Sequence, residues 1–564
     1  MRVWLLLSVA ALSVACGTEP EPETGSPDEV RSPELSEEEV LQDEDADEPE
    51  VPAPGAEVDP PDDDGFGHAV SAGHEAAVDA GLSILEAGGS AVDASIAAAF
   101  AISVVEPFAS GLGGGGAALV AVPGQEPDAY DYREVVAADG SVPATDTGIP
   151  GFAAGMRSLH DDHGELEWDE LLEPAITMAD EGVATSGIVA DQLRSAGHRL
   201  PTGDLPRFFP DGAPLDEGDL LVQPELAATL ERLADAGPDD LYTGVLAEDL
   251  STMVEGIDPV SLSEYRVQRD PPSSGAFGDY QVVAPAPALP GPTFVQQLQI
   301  AEAAGVGDLP PDSADHLHRM LMAWRIADAS ITDLLGDPAF VDVPVDRLTD
   351  PEHNAALAAE LSDDALVDPG SARDAVDEAG NTTHITVVGD DGTVVSMTNT
   401  LTNFWGSGEE VLGFFLNDQM RRFSIGVDGT NDAEPGRRSV SWGLPILVLD
   451  QQDRAVLGAG SPGGRRIPNI LANLLVRWGL HDESLQDAVE APRFHLEGDL
   501  LEFETLPPDD VVDDLLGRGY AGPEVPAPVY YFGSVQALEI DHDTGEVAGA
   551  DDPRRQGAWS ATGP

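Results

Sequence analysis

"NTTHITVVGDDGTVVSMTNTL", residues 381–401, decides how this chain is read. Two valine-rich runs with β-like alternation flank "GDDG" at 389–392, a strong hairpin signal. A four-residue loop pairs Val388 with Thr393 and sets Thr382 opposite Asn399. A two-residue loop at Asp391-Gly392 sets it opposite Leu401. In either register Thr400 falls within one residue of Thr382. The Thr382-Thr383 pair has a plain explanation, because threonine packs well on a pleated surface. Two hydroxyls side by side across a hairpin can be a cross-strand pair contributing ~0.2–1 kcal/mol. They can equally be a nucleophile and its hydrogen-bond partner. A threonine hydroxyl attacks poorly unless a base is adjacent, and its own α-amino group, with a reference pKa near ~8, is such a base once the preceding peptide bond is cut. The residues alone leave both readings open.

Outward from the hairpin, "PILVLD", "AVLGAG", "LLEFE" and "VQALEI" continue the strand pattern, interrupted by one helix, "IPNILANLLVRWGL" at 467–480. Upstream, helix formers at 74–87 stop at Gly88-Gly89, and "SAVDASIAAAFAISVV" at 90–105 reads as a buried helix with Ser90 and Asp93 as a capping box. "SGLGGGG" at 110–116 precedes a strand at 117–122 and lacks the Lys-Ser/Thr of a phosphate loop, so close backbone packing is its expected role. Helical periodicity dominates about 151–255 and 293–335, with "DYQVVAPAPALPGP" as strand and turn between them. Helices before, between and after strands predict an α+β chain with sheets sandwiched by helices.

The ends read differently. "MRVWLLLSVAALSVACG" has a basic residue, an apolar run and small residues before Cys16, the chain's one cysteine. This predicts a signal peptide over 1–15 and lipid attachment at Cys16, although Ser13 stands where a leucine is usual. One cysteine also precludes an intrachain disulfide. Residues 16–66 carry 20 acidic side chains against Arg31 alone and read as a solvated tether. The whole chain has 105 acidic residues against 26 arginines and no lysine, a net charge of −79. Such a surface repels nucleic acid and anionic membranes, leaving the lipid anchor as the expected membrane contact. It also implies a saline setting, since self-repulsion on this scale needs screening.

The run "NTTHITVV...TNTLTNFWGSG...FFLNDQMRRF" resembles the start of the small subunit of the γ-glutamyltranspeptidase family. In order along the chain, "AGGSAVDASIAAAFAISVVEPFASGLGGGG", "DYRE", "GIPGFAAGM", "LYTG", "LLGDPAFVDVP", "GAGSPGGRRI", "APRFH", "GSVQALEI" and "DPRRQGAW" resemble that family's landmarks over about 490 residues. The resemblance implies an αββα four-layer sandwich of the N-terminal nucleophile hydrolase type. It implies a precursor cut between Asn381 and Thr382 into a large part, 67–381, and a small catalytic part, 382–564. Thr382 would then be the nucleophile, Thr400 its hydrogen-bond partner, and the N–H groups of Gly463 and Gly464 the oxyanion hole. Arg133 matches the arginine that grips the donor's α-carboxylate, Ser441 a serine that assists it, and Gln419 a residue supporting the amino end. No metal or organic cofactor is implied.

The chain departs from the family at three positions. Trp442 replaces a second serine, Thr402 stands where the family has asparagine, and Arg422 stands where it has an aspartate that pairs with the substrate ammonium. A cation in place of an anion turns attraction into repulsion, each worth ~4 kcal/mol at ~4 Å and an effective dielectric of 20. The resemblance still makes the expected activity cleavage of γ-glutamyl amides such as glutathione, with transfer to water or an amine. The alternative is a glutaryl or cephalosporin-type acylase acting on acyl chains without the α-amino group, and a further one is an inactive surface lipoprotein. Only 13 residues separate Ser424 from Arg438, fewer than in members with a lid loop, so a more open pocket is expected.

Overall fold

The computed structural model describes residues 66–368, 380–427, 429–526 and 529–563. The expected signal, Cys16 and most of the acidic tether lie outside the described residues. Two six-stranded sheets form the centre. Their strands, in chain order, are β1 (His68–Ala72), β2 (Gly115–Ala121), β3 (Asp128–Asp131), β4 (Ser273–Phe277), β5 (Tyr280–Ala284), β6 (Gly380–Val388), β7 (Val394–Asn403), β8 (Ile446–Leu449), β9 (Ala455–Gly460), β10 (Gln536–Ile540), β11 (Val547–Gly549) and β12 (Ala558–Thr562). The first sheet runs β12-β1-β6-β7-β2-β3 and the second β11-β10-β9-β8-β5-β4, with antiparallel pairing throughout.

The sheets lie face to face, with β9 and β10 packed against β6 and β7. Helices α1 (Glu75–Glu86) and α2 (Ala91–Val105) cover the outer face of the first sheet. Helices α3 (Gly291–Ala303), α4 (Ala314–Leu334) and α5 (Ile467–Leu480) cover the second. This is the αββα four-layer arrangement. All fifteen residues of α2 are buried, so it shows no amphipathic stripe, and Ser90 and Asp93 close its capping box as expected.

The glycine run packs backbone on backbone. A methyl group at Gly113 would lie 2.1 Å from the Phe415 carbonyl oxygen, and one at Gly114 2.2 Å from that of Thr400. Only glycine admits this approach beside the hairpin, and the strand accordingly starts at 115, not 117. The turn at 389–393 differs from both expected registers. Val388 pairs with Val394 around a five-residue loop, and Thr383 still faces Asn399. The register then slips, so that Asn381 pairs with Thr402 and Gly380 with Asn403. The irregularity falls at Thr382, bringing it opposite Thr400. Such a bulge re-aims a side chain relative to an unbroken ladder.

Candidate active site

Thr382 is 5% exposed, and its hydroxyl donates to the Thr400 hydroxyl at 3.4 Å. The Thr402 N–H donates to the same Thr400 oxygen at 2.8 Å, which fixes that rotamer. Next to it, the Thr383 hydroxyl donates to Ser110 at 3.1 Å, tying the strand to the loop after α2. The two threonines singled out in the sequence therefore sit together on adjacent strands.

Thr402 has φ of +83°, a backbone region that a β-branched residue rarely enters. The conformation turns its hydroxyl to the side-chain carbonyl of Gln419, to which it donates. The Gln419 amide in turn donates to Ser439 Oγ at 2.9 Å. Thr402, Gln419 and Ser439 thus form a buried polar chain beside the Thr382–Thr400 pair.

Gly463 and Gly464 follow β9 in a turn with φ of +142° and +58°. This turn lies against the start of β6: a methyl at Gly380 would stand 2.8 Å from the Gly464 Cα and 3.3 Å from Arg422 Nη2. The residue just before Asn381-Thr382 is thus enclosed between the glycine turn and Arg422, which is 3% exposed. Asn431 holds the Arg422 backbone, donating to its carbonyl at 2.8 Å, and also donates to the Ile425 carbonyl at 2.8 Å. Arg421 is turned outward, pairing with Asp418 at 2.9 Å.

Arg133 is buried and already engaged. Its Nε donates to Asp131 Oδ1 at 3.0 Å, Nη2 to Oδ2 at 2.6 Å, and Nη1 to the Ser439 carbonyl at 2.6 Å. Burial alone would raise the Asp131 carboxyl, but Arg133 and Arg438 hold it below its ordinary value. The structural ion pair is therefore present, and only the remaining Nη hydrogens can reach another group. Beside it, Glu134 is fully buried with no hydrogen-bond partner on either oxygen, and burial pushes its carboxyl up to about 8. Ser441 is buried, and Trp442 belongs to the core under the second sheet, with the Arg465 guanidinium 5.9 Å from its ring centre. Arg465 is itself held by Asp328 at 2.5 Å and by Glu497.

The sequence singled out Arg133 but not its partners, the near neighbour Asp131 and the distant Ser439, which only the fold brings alongside. Asp131 ends β3 two residues before Arg133, a spacing that could have suggested the pair. Among the described residues no group of three or more His, Cys, Asp or Glu is placed to hold a metal ion.

The sequence profile of the gamma-glutamyltranspeptidase family matches residues 77–562. The chain belongs to the gamma-glutamyltranspeptidase family. As a member it is an enzyme of the γ-glutamyltransferase and glutathione hydrolase type. Among its relatives, the capsule biosynthesis protein CapD proenzyme of Bacillus anthracis is 35% identical over 494 residues, covering 88% of this chain and 90% of the relative. The glutathione hydrolase proenzyme of Pseudomonas aeruginosa is 34% identical over 535 residues, covering 87% and 94%. A cephalosporin acylase of Bacillus halodurans has the same fold, with a TM-score of 0.82 at 24% identity over 89% of this chain and 96% of that one.

Proposed function

We propose that the chain is a precursor cut between Asn381 and Thr382, and that the freed Thr382 cleaves γ-glutamyl amides, glutathione being the simplest. The observation that carries this reading is the enclosure of the residue before Thr382 between the Gly463-Gly464 turn and Arg422, with the Thr400 hydroxyl 3.4 Å from that of Thr382. The same site serves both bond cleavages. In the first, the Thr382 hydroxyl attacks the Asn381 carbonyl, and N-to-O acyl transfer followed by water releases the α-amine.

In turnover, the α-amine takes the hydroxyl proton as Oγ1 attacks the donor's side-chain carbonyl. The N–H groups of Gly463 and Gly464 receive the developing oxyanion. The proton passes to the leaving amine as the C–N bond breaks, giving an ester on Thr382. Water or an amino acid or peptide amine then takes the acyl group and restores the hydroxyl. Thr400 holds the nucleophile's rotamer through its own bond from the Thr402 N–H. Arg133, Ser441, Gln419 and Thr402 are assigned to the donor side, Trp442 packs into the core behind it, and no cofactor enters the scheme. The acidic N-terminal segment with Cys16 reads as a lipid-anchored tether on an exported, salt-adapted enzyme.

A second reading is favoured by one observation, the Arg422 guanidinium against the residue before the cut. A cation there repels a free α-amino group and suits an acyl chain ending in a carboxylate, such as glutaryl. An acylase and a capsule biosynthesis protein among the relatives are in keeping with a broadened donor range.

Intact mass of wild type and Thr382→Ala tests the nucleophile. Two fragments in wild type, the smaller beginning at Thr382, and one uncut chain in the variant are expected. An uncut wild type overturns the reading. Paired γ-glutamyl and glutaryl anilides then separate the two donor classes.

A further inference from the structure

The Gly463 N–H belongs to a peptide whose other end is held. The Pro462 carbonyl and the Gly463 N–H are the two ends of one planar trans unit, so they point in opposite directions. Whatever fixes the carbonyl therefore aims the N–H. Two contacts fix it. The buried Ser461 hydroxyl donates to the Pro462 carbonyl at 2.7 Å. Gly533 lies against the same oxygen: a methyl there would stand 2.1 Å from it and 2.6 Å from Ser461 Oγ. The Ser534 N–H donates to Ser461 Oγ at 3.3 Å, which leaves the hydroxyl's own proton for Pro462. The loop carrying Gly533 and Ser534 is itself tied along its length. Arg466 Nε donates to the Tyr531 carbonyl at 2.8 Å, with its guanidinium carbon 3.8 Å from that ring centre. Arg493 Nη1 donates to the Phe532 carbonyl at 2.7 Å, and the Val535 N–H to Asp552 Oδ2 at 2.7 Å.

We propose that Ser461, braced by the 531–535 loop, is a positioning residue that aims the Gly463 N–H at the reacting carbonyl. The inference rests on the reading of Gly463 as an oxyanion donor for the Thr382 reaction. Two successive glycines give this turn little rotational stiffness of its own, because each reaches many φ and ψ values at low cost. An oxyanion is stabilised most by donors already in place, and a dipole that must turn during the reaction loses part of its effect to the turning. Ser461 supplies that preorganisation from the far end of the peptide, without touching substrate. The step it serves is the attack of Oγ1, where negative charge gathers on the carbonyl oxygen. It leaves the later release of the acyl group to the same donors.

The test is the acylation burst of matured protein on a γ-glutamyl anilide, read as a maximal rate and as the substrate concentration that half-saturates it. Ser461→Ala is expected to lower the maximal rate ~10-fold or more and to leave half-saturation within about twofold of wild type. A rate within about threefold of wild type, or a half-saturation that rises with the loss, overturns the role. Ser534→Ala removes a neighbouring buried hydroxyl, which accepts from Gln536 at 2.9 Å, but keeps the N–H on Ser461. It is expected to keep the burst, and an equal fall there would reduce Ser461 to general packing. Combined with Gly463→Ala, a residue that acts through that peptide adds no further loss, whereas multiplied losses overturn the proposal. If Ser461→Ala fails to fold or mature, Ser461→Thr decides. With its hydroxyl retained the burst is expected within about threefold of wild type, and a larger fall overturns the proposal. A kept burst in Gly463→Ala sinks the oxyanion assignment beneath this inference. A lost burst there beside a kept one in Ser461→Ala sinks this inference alone.

Discussion

Replacing Gly463 by alanine separates two things that a glycine turn can do. The added methyl itself has room: its nearest neighbour is Ile470 Cδ1 at 3.1 Å, the end of a flexible side chain, and the next is Ile467 Cγ1 at 3.6 Å. The backbone is the obstacle. At φ of +142° and ψ of 3° an alanine costs ~1–3 kcal/mol, enough to turn the peptide out of place. On the proposed assignment, a rotated peptide takes away an oxyanion donor, which lowers the acylation rate by ~10²–10³. Gly443→Ala is the control, because its methyl would sit 3.6 Å from Leu289 and 3.7 Å from Thr398, ordinary packing distances. The assay is the acylation burst on a chromogenic γ-glutamyl anilide, using matured protein, beside a thermal melt. Gly463→Ala is expected to lose the burst and Gly443→Ala to keep it. A burst from matured Gly463→Ala within about threefold of wild type would refute the assignment of that turn.

Gly460→Ala places a methyl 2.2 Å from His384 Nδ1, and the ring is pinned by Thr398 at 2.8 Å and Thr386 at 3.1 Å. A loss of about 3 kcal/mol or more in denaturant unfolding is expected, and a loss below ~1 kcal/mol would mean that the ring can yield. Thr402→Asn keeps a donor for Gln419 in a residue that tolerates positive φ. It is expected to stabilise the fold by ~1 kcal/mol in thermal unfolding, and no gain would show that Thr402 is unstrained. Glu134 keeps its proton when folded up to about pH 8, whereas an unfolded glutamate loses it near ~4.5. Its contribution to stability is therefore complete below that lower value and is lost as pH rises through 8. Glu134→Gln is expected to flatten the alkaline fall in stability by ~3–5 kcal/mol, read as the difference in unfolding free energy between pH 5 and 9. A variant with wild-type slope would mean that Glu134 ionises normally.

The sequence exposed the parts of the site that local chemistry dictates. The closeness of Thr382 and Thr400 follows from hairpin arithmetic, though their role came only with the family resemblance, and the packing role of the glycines at 113–116 from the absence of a phosphate-loop lysine. The register was missed by one residue because "GDDG" suggests a loop of four, while Thr393 also turns, its N–H and hydroxyl both bonding to Asp391 at 2.8 Å. The slip at Thr382 has no local signal; it arises where Gly380 meets the Gly464 turn, 84 residues onward. Arg133 illustrates the opposite case. Its residue type announced a carboxylate partner, yet not that Asp131 would be one. Arg555 lies inside a family-like motif near the far end of the chain, and tertiary contact alone brings its Nη1 within 3.5 Å of the Thr382 carbonyl.

The order of strands in the first sheet has a consequence for what a cut at Thr382 would do. β1 comes from before that point, yet its neighbours β12 and β6 both come from after it, and β7 likewise borders β2 from before it. In the second sheet β5 borders β8 across the same divide. Two cut polypeptides woven in this way cannot drift apart by parting at a surface, because four backbone ladders must open first. Once opened, they have no covalent link to bring them back. An intact precursor refolds as a first-order process at any dilution, whereas the cut pair must find each other, at a rate that falls with concentration. Cutting would thus make the native state a kinetic trap, long-lived while assembled and hard to regain after melting.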